Sequence, residues 1–160
     1  MDRERVSVNR SFAVFESIIY KQLNYNRYPA STLHRRAYEL GLAGLIYPRE
    51  YGGTRPDDFD AFHEMILWDE IARVGGASVM GQMSINSMAL PPIINYGTEE
   101  MKDEVVRAVV RGDKHICLAI SEPTAGSDVA NIRTSAVLDE DDMYVVNGTK
   151  KWITGGLLAD

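Results

Sequence analysis

Cysteine is nearly missing from this chain. Cys117 stands alone among 160 residues, so no internal disulfide can form and a secreted, disulfide-stapled fold is excluded. Long apolar runs are missing too, and no stretch approaches the roughly 20 apolar residues of a membrane-spanning helix. The N-terminus, Met1-Asp2-Arg3-Glu4-Arg5, lacks the apolar segment of a signal peptide, and its acids do not suit a transit peptide. The expectation is a soluble, intracellular protein, with cytoplasm, mitochondrion and peroxisome not separated by these residues. Positive charge is in short supply: 17 Lys and Arg stand against 23 Asp and Glu, a net charge of −6. A general binder of nucleic acid or anionic membrane needs a basic face, and Arg35-Arg36 reads as an ordinary solvated helix face.

Several chemical motifs are also absent. There is no G-x-G-x-x-G and no G-x-x-x-x-G-K-[ST], which removes the common dinucleotide and P-loop cradles. His34, His63 and His115 are scattered, and His63-Glu64 lacks the second histidine of H-E-x-x-H, so no metal site is expected. Cys117 sits inside an apolar run, which reads as a buried structural thiol rather than a nucleophile.

What is present is a core-forming composition, 45% hydrophobic, in two parts with different periodicity. Up to residue 114 the spacing is helical and predicts an all-α domain. Ser31 is placed to cap a helix with Leu33, Ala37 and Leu40 on one face, and Gly41 to close it in the left-handed conformation. "YPREYGGTRP" (47–56) reads as a loop. Asp57 or Asp58 is placed to start a helix with Ala61, Met65, Trp68 and Ala72 inward, interrupted at Gly75-Gly76. "ASVMGQMSINSMAL" (77–90) is rich in small residues, and Pro91-Pro92 marks a break or kink after it. Thr98 is placed to cap a last helix with Glu99 and Glu100 in its first turn. Met101, Val105 and Ala108 or Val109 would face inward, and Gly112 would end it.

Residues 115–160 change to strand periodicity. "HICLAIS" (115–121) predicts a strand buried on both faces. "IRTSAVL" (132–138) and "MYVV" (143–146) read as strands around an exposed "DEDD" loop (139–142). Asn147-Gly148 predicts a hairpin turn into "TKKWIT" (149–154). These strands make only a marginal sheet by themselves, so the chain is expected to be a piece of a longer polypeptide or half of an assembly.

Two stretches carry candidate chemistry. In "AISEPTAGSDVAN" (119–131), Ser121 ends an apolar run, Pro123, Ala125 and Gly126 allow a tight turn, and Ser127 and Asp128 can satisfy loose amides. It reads either as a capped surface turn or as a loop holding a polar ligand. In "KKWITGG" (150–156), Trp152 and Thr154 would share one strand face, as a core tryptophan or as a stacking surface beside a hydroxyl.

Together, "LAISEPTAGSDVA" and the later "NGTKKWITGG" resemble the acyl-CoA dehydrogenase family of flavoproteins. "LGLAGLIYPREYGG" (40–53), "DEIARVGGAS" (69–78) and "YGTEEMKDEVVRAVVRGDKHICLA" (96–119) extend the resemblance upstream. It implies an α+β protein: an acyl-CoA dehydrogenase-like N-terminal helical bundle (1–114) followed by the first strands of a truncated middle β-barrel domain (115–160). Asn131 departs from the pattern, where the family usually has a small residue, and could re-aim the loop.

The resemblance implies FAD as cofactor, with Leu118, Ile120, Ser121, Gly126, Ser127, Trp152, Ile153 and Thr154 against it. Ser121 would direct its hydroxyl and amide at the flavin's pyrimidine edge, where reduction places negative charge. Trp152 would lie along the ring, and Thr154 near the hydride-accepting nitrogen. Gly126 and Ser127 would lie near phosphates or the thioester arm of the substrate. Segment 77–90 would be either part of an acyl pocket or a packed core helix. The implied reaction is α,β-dehydrogenation of an acyl-CoA, with electrons passing to an electron-transfer flavoprotein or to oxygen. The complete protein would be a homo-oligomer, a dimer or tetramer. No catalytic residue is assigned, because the family's base, usually a glutamate, lies beyond Asp160; Glu122 takes a structural place instead. The chain alone is therefore expected to be inactive and to bind flavin weakly or not at all. Rival readings are an acyl-CoA oxidase or nitroalkane oxidase on the same scaffold, and a non-catalytic relative that serves assembly.

Overall fold

In the computed structural model, residues 30–73 and 77–160 are described, with side chains described for 32–73 and 83–160. Met1–Arg5 and the Gly75-Gly76 interruption lie outside the described residues. Helix α1 is Ala30–Glu39. Ser31 lies inside this helix and not ahead of it, as a cap would. Leu33 and Ala37 are buried as the periodicity predicts. Gly41 closes the helix at φ 77°. Its N–H donates to Tyr38 O at 2.8 Å, and Leu42 N–H reaches back to Ala37 O at 2.9 Å. That pair of bonds satisfies the last helical carbonyls and drops Leu42 into the core beside Ala37.

A short 3₁₀ turn, Arg49–Tyr51, interrupts the loop that follows. Helix α2 is Ala61–Arg73. Its cap is Asp60, not Asp57 or Asp58: one carboxylate oxygen accepts from Phe62 N–H at 3.0 Å and His63 N–H at 3.2 Å. The inward face also differs from the expected one. Leu67 and Ile71 are buried, Trp68 is half-buried, and Met65 is 59% exposed while Ala61 and Ala72 face solvent. Both stripes have helical spacing, and the core took the one with the larger branched side chains.

Helix α3 is Ala77–Tyr96 and runs through Pro91 and Pro92 without a break. Proline's fixed φ is compatible with a helix, and its cost is the missing N–H bonds to the preceding turn. Burial of Ala89 and Leu90 on the turn ahead of the prolines opposes that cost, Leu90 being fully buried.

The last helix, α4, spans 99–111. Thr98 caps it through its hydroxyl, which accepts from Met101 N–H at 3.3 Å. A π-helical turn, Lys102–Val106, lies between the α-helical ends Glu99–Met101 and Arg107–Arg111. This wider turn rotates the face, so Val106, Val109 and Val110 are buried while Met101 is 47% exposed, against the expected inward Met101. Gly112 ends α4 at φ 75° and backs onto α1. The core is thus built on α1, α2 and α3 in one cluster, and on Tyr47, α3 and α4 in another.

After Gly112 the expected doubly buried strand is not formed. Residues 115–121 have no regular secondary structure, and their side chains are half-buried or exposed. Cys117 is accordingly half-buried and free, not enclosed. A strand needs a continuous ladder along a partner, and among the described residues this segment makes only single backbone–backbone bonds, from Lys151 N–H to Ser121 O at 2.9 Å and from Asp160 N–H to His115 O at 3.1 Å. Strands β1 (Ser135–Leu138) and β2 (Tyr144–Asn147) form the antiparallel sheet seen here, with Val137 opposite Val145. The "DEDD" loop joins them as predicted. Asp139 accepts from Asp141 and Met143 N–H at 3.0 and 2.9 Å. Asn147-Gly148 makes no hairpin. Gly148 lies against Thr134 with no space for a Cβ, and residues 149–154 contain no strand.

Candidate functional site

The turn at 122–125 is built on Glu122. Its backbone N–H donates to Ala125 O at 2.8 Å, and Ala125 N–H returns the bond at 3.2 Å, leaving Pro123 and Thr124 at the tip. The side chain folds inward and is buried. Its carboxylate accepts from Arg133 N–H at 2.7 Å, Thr134 N–H at 3.0 Å, the Thr134 hydroxyl, and Lys150 Nζ at 2.8 Å. The Lys150 ammonium, with the Thr134 and Arg133 donors behind it, holds its pKa down to about 2. Glu122 thus satisfies this region's loose amides, the task expected of Ser127 and Asp128. Asp128 instead accepts from the Asn131 side-chain amide at 2.6 Å, so the residue that departs from the family pattern is tied into the loop.

Lys150 reaches two groups at once. Besides Glu122, its ammonium donates to Ile120 O at 3.0 Å. One residue on, Lys151 N–H donates to Ser121 O at 2.9 Å. These bonds lay residues 120–122 beside 150–152 and bring the two candidate motifs together. Among the described residues, neither the Ser121 amide N–H nor its hydroxyl has a partner. Ser121 is half-buried, Leu118 half-buried, and Ile120 40% exposed. Trp152 is 85% exposed, with Lys151 Nζ 5.6 Å from its ring centre.

Other expected placements change. Trp152 sits in the left-handed region at φ 58°, so it and Thr154 do not share a strand face; both are exposed and Ile153 is half-buried between them. Gly126 and Ser127 are exposed, with open space where a Gly126 Cβ would project. In segment 77–90, the described Met83, Ile85, Asn86, Ala89 and Leu90 are buried and Met88 is exposed, as in a packed core helix. Met83 and Asn86 line a cavity of about 20 Å³ with His34, room for about one water molecule.

Sequence reading missed Thr134, the Arg133 amide and Lys150 as parts of this site. Lys150 stood inside a quoted motif, but nothing local to it names a partner 28 positions earlier. The histidines were not all scattered either: the His34 and His115 ring centres are 6.3 Å apart.

Residues 14–113 match the family model "Acyl-CoA dehydrogenase, N-terminal domain", and residues 117–160 match "Acyl-CoA dehydrogenase, middle domain". The chain belongs to the acyl-CoA dehydrogenase family. Acyl-CoA dehydrogenase AFT10-1 of Alternaria alternata is 39% identical over 143 residues, 82% of this chain and 33% of that protein. The crystal structure of a probable acyl CoA dehydrogenase from Mycobacterium abscessus covers 100% of this chain with a TM-score of 0.85 at 34% identity, using 43% of its own chain. An acyl-CoA dehydrogenase complexed with FAD from Bacillus anthracis covers 100% of this chain with a TM-score of 0.76 at 28% identity, using 28% of its own. The chain spans between 21% and 34% of the length of the curated relatives compared with it. The α+β architecture expected of the family, a helical part followed by middle-domain β structure, is the one observed.

Proposed function

We propose that the protein carrying this chain is an FAD-dependent acyl-CoA dehydrogenase, with its helical domain to residue 114 and its middle β domain from 115. The observation that carries the reading is the pairing of residues 120–122 with 150–152, which sets the stretch holding the Ser121 donors, unpartnered among the described residues, beside the stretch holding the exposed Trp152. This donor set suits a flat, electron-poor ring with acceptor atoms on one edge, although it makes one wall and not an enclosed pocket. FAD, when bound, supplies the hydride acceptor. Ser121 would donate to its pyrimidine edge, where donors fixed in advance favour the charge that reduction brings. Leu118 and Ile120 would give apolar contact, Trp152 and Ile153 would cover the ring, and Thr154 would supply a hydroxyl donor. Gly126 and Ser127, open to solvent, are free to meet phosphate or the acyl-CoA thioester arm.

In this reading the reaction removes the α proton to a carboxylate base and the β hydrogen as hydride. Glu122 is not that base. A carboxylate held near pKa 2 and filled with donors has little tendency to take a proton. The 160 residues alone are inactive in this reading, and the electron acceptor is an electron-transfer flavoprotein or oxygen. The complete enzyme is a homo-oligomer.

The test is an absorption spectrum of the full-length protein after incubation with excess FAD and gel filtration. Flavin bands that co-elute, and that bleach on adding an acyl-CoA without oxygen, are expected. A protein that stays colourless overturns the reading. So does one that keeps its flavin when Ser121→Ala and Trp152→Ala are combined.

A further inference from the structure

The carbonyl of Ile120 and the amide N–H of Ser121 belong to one peptide unit. That unit is trans, as are all the described peptide bonds, so its C=O and N–H point in opposite directions. Lys150 Nζ donates to the carbonyl end at 3.0 Å, and the N–H end has no partner among the described residues. The ammonium is in turn pinned by Glu122, whose side chain is 3% exposed, against 25% for Lys150. Glu122 is itself fixed by Thr134 and the Arg133 amide. A cation held on the oxygen side of an amide draws electron density toward that oxygen and makes the N–H a stronger donor.

We propose that Lys150, anchored by Glu122, is a positioning residue that orients and polarises the Ile120–Ser121 peptide, so that the Ser121 N–H is a strengthened donor for an anionic ligand edge. Resting on the FAD reading, this assigns Lys150 a share in favouring reduced over oxidised cofactor. The arrangement separates two tasks. Glu122 neutralises and locates the ammonium, while the peptide carries its influence to the Ser121 N–H. Arg107 also bridges a carboxylate, Asp103, and a backbone carbonyl, Glu50 O, but there the carboxylate side chain is 69% exposed, against 3% for Glu122.

The experiment uses the full-length FAD-loaded protein in three forms: wild type, Lys150→Met and Lys150→Arg. Spectroelectrochemistry reads the reduction potential, and isotope-edited NMR reads the Ile120 carbonyl carbon and Ser121 amide nitrogen. Lys150→Met is expected to lose three- to tenfold of the preference for reduced cofactor, about 15–30 mV for a two-electron couple. It should also shift both NMR signals. Lys150→Arg should recover at least half of each change. Unchanged potential or unchanged peptide signals in Lys150→Met overturn the inference, even if flavin affinity falls. Should Lys150→Met not fold, Glu122→Gln replaces it. With the ammonium no longer pinned, the same peptide signals must move, and their constancy overturns the inference equally. A wild-type protein that holds no flavin fails differently: it sinks the functional reading, and this inference with it.

Discussion

The ammonium of Lys150 lies 2.8 Å from the carboxylate of Glu122, across 28 residues of sequence. That pair joins the turn at 122–125 to the segment leading into Trp152, and it gives the folded chain a sensitivity to acid. The folded pKa of Glu122 is depressed to about 2 from the ordinary 4.5. Its contribution to stability is therefore complete above about pH 4.5 and is lost as pH falls toward 2. Glu122→Gln in the full-length protein should be less stable than wild type at pH 7, with the gap closing between pH 4.5 and 2. Thermal melts across that window decide it, and a gap that stays constant with pH rules the account out.

His34 predicts a second window at higher pH. It is 5% exposed, and its Nε2 accepts from the Asn86 side-chain amide at 2.9 Å. Burial, and secondarily the nearby His115, lowers its pKa to about 4 from 6.5. The unfolded chain then binds the extra proton between these values, so stability falls as pH drops from 6.5 to 4. The loss is on the order of 1–3 kcal/mol. Denaturant titrations of wild type and His34→Gln should show this slope in wild type alone. A wild-type curve flat from pH 6.5 to 4 contradicts it.

Two glycines separate backbone strain from close approach. Gly41 at φ 77° has nothing within 4 Å of where a Cβ would stand, whereas at Gly112, φ 75°, a Cβ would lie 2.6 Å from Arg35 N. Gly41→Ala should therefore cost only the left-handed conformation, about 1–2 kcal/mol. Gly112→Ala adds a collision with the α1 backbone and should cost at least about 1 kcal/mol more. Urea midpoints of the two variants measure the difference, and equal costs would remove the close approach from the argument.

Features closed within one turn of chain were legible in advance. Thr98 caps α4 through a residue three positions on, Gly41 and Gly112 end their helices through bonds to the preceding turn, and Asp139 organises its own loop. The two family motifs were legible as well, because they are residue types in a fixed order along the chain, and both fall within the stretch that matches the family's middle domain. The inward stripe of α2 was not: two stripes had the right period, and only packing chose Leu67 and Ile71. The π turn of α4 was equally hidden, since no local residue type demands it.

The sequence by itself determined the glycine ends at Gly41 and Gly112, the Thr98 cap, the 139–142 loop and membership of the acyl-CoA dehydrogenase family, since each depends on neighbours along the chain. Tertiary structure alone decided that 115–121 is not a strand, that Pro91 and Pro92 stay in a helix, and that Glu122 meets Lys150. Strand pairing, burial and ion pairing take their free energy from partners distant in sequence, and no short stretch records where those partners will stand.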